Sequence, residues 1–413
     1  MSEKWVVLDA VSLALIVSAL IIVIGFLGNY LFERTGLPDM LFLIVLGMLF
    51  GPILGFFDPE IVIGLAPYIA ALALVFILFD GGMRMDMYQV FSHSPRAALL
   101  AVLSFLSSLF VVAMFMTLLL EVPLLYGLLF GSILGGSSSI VVVSLAAKIK
   151  VSEKCSTTLT LESAITDILC IVVSLVIIGI ILTGQADLIN VGIEIASTFL
   201  IGAAVGVMFG LGWLILLRRV IAVPFSYMLT LAVILIAYVI SEQFGGSGAL
   251  SSLLFGLTLG NESRIFKAFK REISNGSAVD EGLRRFESEI AFLIRTFFFV
   301  FLGLIATIYD VRFLFLGAIL SLLLLLVRFG AVSLATVRSE LKIERPIMAV
   351  VLTRGLAAAV LATLPIQYAD PVKYPEAGPI FQTLSPVYIN LAVVIILSTA
   401  IIATVGVVII SRK

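Results

Sequence analysis

The chain has 413 residues, 62% of them hydrophobic and 12% charged, with a formal net charge of -1 at pH 7. Its mean hydropathy of +1.24 and pI near 6.0 exclude a soluble globular protein and a basic surface for nucleic acid, leaving an all-α polytopic membrane protein. The first apolar run has no small-residue cleavage site behind it, so no detachable leader is expected.

Apolar runs of about 17 or more residues, split at charged or Pro/Gly punctuation, predict thirteen spans. Their extents are 11–32, 40–56, 62–80, 97–120, 124–146, 155–182, 189–216, 224–241, 247–260, 290–308, 313–336, 346–366 and 388–410. Basic residues concentrate after the odd-numbered spans: Arg34; Arg84 and Arg96; Lys148, Lys150 and Lys154; Arg218 and Arg219; Arg264 through Arg285; Arg338, Lys342 and Arg345; Arg412 and Lys413. The other side carries Lys4, Arg312 and Lys373. This bias predicts an outside N-terminus and a cytoplasmic C-terminus in a cell membrane.

Asp80 falls near the cytoplasmic end of the third span, where a carboxylate can snorkel or line an access path. The fifth span is interrupted by Gly131-Ser132-Ile133-Leu134-Gly135-Gly136-Ser137-Ser138-Ser139. Glycine and serine at this density weaken a helix, and broken backbone is tolerated at membrane depth where it lines a cavity or is covered by protein. The alternative is close helix packing through small residues.

The sixth span holds Glu162, Ser163, Thr166 and Asp167. A carboxylate there costs several kcal/mol unless neutralised or paired, which makes Asp167 a functional hypothesis. Ser163 lies four residues before Asp167 on the same face, whereas Glu162 is about 140° around the helix and needs a basic partner elsewhere. Cys155 and Cys170 sit about 22 Å apart along this helix, too far to bridge, and are read as packing residues.

The polar segment 262–288 reads as a solvated cytoplasmic linker, with lipid contact through Lys267, Lys270 and Arg271 as an alternative. Arg295, Arg328 and Arg354 lie inside or at the margin of spans 10, 11 and 12. Thr353-Arg354-Gly355 interrupts the twelfth span as the serine run does the fifth, and by the loop charges the two spans run in opposite directions. That pattern fits an inverted-repeat transporter with broken helices meeting near the midplane. The predicted organisation is one transmembrane domain: repeats at 1–182 and 224–413, joined by a linking helix in 183–223. Arg354 would offset the carbonyl ends left at the crossing. The last span ends at Ile410, so no regulatory tail is expected and nucleotide control would need a separate subunit.

The run Glu162-Ser163-x-x-x-Asp167, the run Arg295-x-Phe-x-Phe-Val-Phe-Leu-Gly303, Arg328, and Arg354-Gly355 together resemble the monovalent cation/proton antiporter superfamily. The likeness covers nearly the whole chain and is nearest to the archaeal NhaP-type exchangers. It implies a homodimer with a scaffold part and a moving part, and spans 5 and 12 crossing beside the ion site. Asp167 would be the ion- and proton-binding carboxylate with Ser163 as a ligand, and Glu162 with Arg328 a structural ion pair. Two departures stand out: Thr166 replaces the usual Asn, and Ser137-Ser138-Ser139 replaces a Thr-Asp-Pro run, as in the potassium efflux branch.

The expected function is exchange of a monovalent cation, sodium first and potassium as the alternative, for protons by competition at Asp167. Thr166, Ser137 and Ser138 are further candidate ligands, and no cofactor is expected. With one titrating acid beside the site, the cycle is expected to be electroneutral. A cation channel or an organic-solute carrier is the reading from another class, but no filter-like repeat is visible. An intramembrane serine protease lacks its base, because the single histidine, His93, is in a loop.

Overall fold

The computed structural model describes residues 10–35, 37–57, 59–84, 95–138, 141–142, 151–183, 188–220, 226–268, 279–306 and 311–411. Ser139, His93 and the basic residues Lys148 and Lys150 lie outside them. In chain order the helices are α1 (Ala10–Thr35), α2 (Asp39–Met48, extended by a π turn Leu49–Ile53), α3 (Pro59–Arg84), α4 (Pro95–Leu119) and α5 (Leu124–Ile133). Then come α6 (Glu153–Thr183), α7 (Leu188–Val220), α8 (Ser226–Gln243), α9 (Gly248–Gly260), α10 (Glu262–Ala268) and α11 (Glu281–Ile305). The remaining helices are α12 (Val311–Ala335), α13 (Arg345–Val350), α14 (Leu356–Thr363, running into a 3-10 turn Leu364–Tyr368) and α15 (Gly378–Ser411).

Among the described residues, 9 helices are long and apolar enough to cross a membrane. Four shorter apolar stretches, Asp39–Ile53, Leu124–Ile133, Gly248–Gly260 and Leu356–Tyr368, coincide with predicted spans 2, 5, 9 and 12. At about 1.5 Å per residue none covers a hydrocarbon core of about 30 Å alone.

The helices sort into two packed groups. In one, α9 packs on α3 and α7, α11 packs on α2 and α3, and α8 packs on α7 and α9. In the other, α4 packs on α5, α6 and α12, and α15 packs on α12 and α14. Lipid tails give helices no apolar reason to associate, so close packing depends on small residues that let backbones approach. Gly256 of α9 lies against the backbone of Phe79 in α3, and Gly206 of α7 against that of Ser251 in α9; a Cβ at either would overlap its neighbour.

The segment predicted as a solvated linker, 262–288, differs in its described parts. Its first residues form α10, and Glu281 begins α11 several residues before the apolar run. Local bonds account for both. Glu262 is buried and accepts from Arg218 Nη2 at 2.8 Å and from the Val279 amide at 2.9 Å. Asp280 caps α11 by accepting from the Leu283 amide at 2.8 Å.

Replacing Gly256 by valine is expected to lower thermal stability in detergent by about 1–3 kcal/mol, the usual cost of overpacking. Gly64→Ala, at a helical position with open space around it, is the matched control and should not destabilise. Equal melting temperatures for the two variants would contradict this packing.

Candidate functional site

The site is built where two helices lose their regular backbone. After Ile133 the chain runs without helix through Ser138, and the second interruption covers Val351 to Gly355. Both are buried, so their freed polar groups have no solvent and must be satisfied by protein. One bond joins them directly: the Ser138 amide donates to the Thr353 carbonyl at 2.7 Å. Gly355 lies so close to the Ser138 side chain that a Cβ would overlap it.

Side chains take up further groups. The Arg354 amide donates to Thr399 Oγ1 of α15 at 3.1 Å. Its guanidinium donates to the Gly136 carbonyl and, at 3.3 Å, to Ser108 Oγ of α4. The positive charge thus sits where a broken helix leaves carbonyls unpaired, the electrostatically favoured end.

On α6, one face with a four-residue repeat, Glu162, Thr166, Cys170 and Ser174, lies against the broken segment. Ser174 Oγ and Ser132 Oγ are 2.7 Å apart, and Gly136 packs on Cys170 Sγ and the Thr166 carbonyl. Thr166 Oγ1 accepts from the Ser137 amide at 3.2 Å and donates to the Ser163 carbonyl at 3.0 Å. Ser137 Oγ donates to the Glu162 carboxylate at 3.2 Å.

Glu162 and Arg328 form a two-pronged pair, Nη1 to Oε1 at 2.8 Å and Nη2 to Oε2 at 2.9 Å, with side chains 1% and 4% exposed. Arg328 also donates to the Met348 carbonyl at 3.2 Å and to Ser104 Oγ at 3.1 Å. This matters because a buried charge is tolerable only when paired and fully hydrogen-bonded. One guanidinium therefore ties α12 to α4, α6 and α13.

Asp167 is partly exposed and lies within electrostatic reach of Cys170. Ser163, on its face one turn earlier, is fully buried, and its hydroxyl donates to the Thr160 carbonyl at 3.0 Å. The structure thus brings together Glu162, Arg328, Ser137 and Thr166, and joins Ser138 and Arg354 to the same crossing. The hydroxyls of Ser137 and Thr166, candidate ion ligands from the sequence, are engaged in holding the crossing. Asp80 belongs to a different cluster: it pairs with Arg84 at 3.0 Å, and Arg84 also reaches Ser288 Oγ at 3.4 Å.

Sequence reasoning missed several partners. Ser104 and Ser108 of α4 are spaced one turn apart in a predominantly apolar helix, a signal that could have been read as acceptors for an intramembrane arginine. Asp39, which pairs with Arg295 at 3.2 Å, stands just outside a predicted span and gave no such signal. Glu287 is buried beside Asp80 in what read as a linker.

Residues 16–413 match the family model described as sodium/hydrogen exchanger, transmembrane. The chain is 29% identical over 263 residues to the K+/H+ antiporter NhaP of Alkalimonas amylolytica, covering 62% of this chain and 45% of that protein. It is 26% identical over 360 residues to the probable Na+/H+ antiporter 2 of Methanocaldococcus jannaschii, covering 84% and 82% of the two. The structure of the sodium proton antiporter MjNhaP1 of that organism superposes with a TM-score of 0.70 at 22% identity over 97% of both chains. This likeness establishes an antiporter fold. The chain spans less than half the length of the K+/H+ relatives it matches.

Glu162→Gln should cost about 3–5 kcal/mol of stability, because it leaves the Arg328 charge buried without its counter-ion. The double change Glu162→Leu with Arg328→Met should recover part of that loss. Unfolding in detergent measures both. A Glu162→Gln effect below about 0.5 kcal/mol, the size of a surface change, would mean that the pair does not determine the fold.

Proposed function

The chain belongs to the sodium/hydrogen exchanger family, and on that premise we propose that it is a secondary transporter exchanging a monovalent cation for protons at Asp167. The observation that carries this reading is the contrast between the two acids of α6. Glu162 is neutralised by Arg328 and shut away from solvent, whereas Asp167 is partly exposed, one position beyond the Thr166 that bonds the broken segment. A carboxylate at that depth must be neutralised before it can move through an apolar surround, and either a cation or a proton can do so. Competition between them couples the two flows without simultaneous binding.

Ser163 and backbone carbonyls of the two interrupted segments are the oxygen donors we assign beside Asp167. Arg354 holds the crossing electrostatically, and Glu162 with Arg328 holds it mechanically. Neutral oxygen donors suit a hard monovalent ion. Sodium is the first assignment. Potassium is the second, supported by the serine run and by relatives named K+/H+ antiporters. With one titrating acid at the site, one cation exchanges for one proton. The protein acts in a cell membrane as a homodimer, its N-terminus outside and C-terminus in the cytoplasm.

In liposomes carrying a pH gradient, addition of sodium or potassium should dissipate the gradient for the unaltered protein, and Asp167→Asn should abolish this response. Persistent exchange in that variant would refute the assignment. Comparison of sodium, potassium and lithium at several pH values ranks the ions. Clamping the membrane voltage should leave the exchange rate unchanged, and a voltage-dependent rate would contradict one-for-one exchange.

A further inference from the structure

A cavity of about 590 Å³ opens between the two helix groups. Its walls come from the ends of α6 near Ile178 and Thr183, of α8 near Tyr238 and Glu242, and of the Leu364–Tyr368 turn, with Thr198 and Phe199 of α7. By the loop charges, all lie toward the membrane face opposite the clustered basic residues. Leu175, also in the lining, is eight residues beyond Asp167 on the same helix, about 12 Å along its axis. The chamber therefore lies in line with the site along α6 and is not part of it.

Among the described residues, its one lining carboxylate is Glu242. The Gly248 amide donates to Glu242 Oε1 at 2.7 Å, which fixes the side chain while it stays exposed to the opening. The turn behind it is firmly held, since the Gly246 amide bonds the Ser241 carbonyl at 2.8 Å and the Ser247 amide bonds the Thr198 carbonyl at 3.1 Å. Opposite, the Gln367 amide nitrogen is shut away with no hydrogen-bond partner among the described residues, a group that water inside the chamber would satisfy. Lys373, one of the few basic residues on this face, lies within electrostatic reach of Glu242 and 5.2 Å from the Tyr374 ring centre.

One carboxylate with aromatic hydroxyls and room for water suits a partly hydrated monovalent cation. A divalent ion would call for more acids, and no group of three His, Cys, Asp or Glu able to hold a metal occurs among the described residues. We propose that this chamber is an outer waiting site for the transported cation, with Glu242 as its attracting charge and Lys373 as a tethered cation that competes for it. The proposal rests on the exchange reading and adds to it a side-specific affinity.

The test uses everted and right-side-out membrane vesicles, with sodium applied on one face at a time. Glu242→Gln keeps an oxygen able to accept the Gly248 amide but removes the charge. It should raise the half-saturating sodium concentration about fivefold from the outer face, roughly the weight of one unit charge at about 4 Å across water, and not from the inner face. Glu242→Asp should restore most of the affinity, and Lys373→Met should lower the outer half-saturating concentration. Unchanged values on both faces would overturn the proposal. So would equal shifts on both faces, which would make Glu242 only the support of α9. Failure of sodium and potassium to dissipate a pH gradient through the unaltered protein would instead refute the exchange reading itself, so the two failures are distinct.

Discussion

A helix interrupted inside an apolar slab leaves amides and carbonyls that no water can reach, and the rest of the site follows from how those groups are satisfied. The two interruptions share the direct bond from Ser138 to Thr353. Side chains from four other helices join the same network: Thr166 of α6 and Thr399 of α15 accept from its amides, and Glu162 of α6, Ser108 of α4 and, through Glu162, Arg328 of α12 hold its side chains. Irregular backbone there is a joint at which six helical segments are bonded to one another.

That constraint also divides the polar residues of α6. Face by face, the residues at Glu162, Thr166, Cys170 and Ser174 meet the broken segment, and their polar atoms are engaged with it. Asp167 is one position further round from Thr166, about 100° around the helix axis, and is partly exposed. A pair as buried as Glu162 with Arg328 contributes little net stability compared with apolar groups of the same shape, yet breaking one partner is costly. Such a pair suits fixing an arrangement more than strengthening it.

Much of this was legible in the sequence, for definite physical reasons. Long apolar runs identified α1, α3, α4, α6, α7, α11, α12 and α15, because the hydrocarbon imposes a minimum length. The helical angle between Glu162 and Asp167 was enough to turn Glu162 toward a neighbouring helix, where Arg328 lies. What escaped were features set by distant partners. Asp39 finds Arg295 across the packed α2 and α11, and Glu262 finds Arg218 in a segment whose composition reads as solvated. By sequence Thr166 stands nearest the ion, but its hydroxyl is directed by the chain that crosses over it, which local spacing cannot reveal.

The glycine contacts between α3, α7 and α9 have a mechanical consequence. Side chains at an interface can change rotamer and let two helices slide by small amounts, but backbone pressed on backbone has no such freedom. Displacement between those helices would have to proceed by whole turns of about 5.4 Å, with all the close approaches broken together. Shear in the molecule is thus directed away from that stack and toward the seam lined by side chains, where α6 and the Leu364–Tyr368 turn face α7 and α8 across open space.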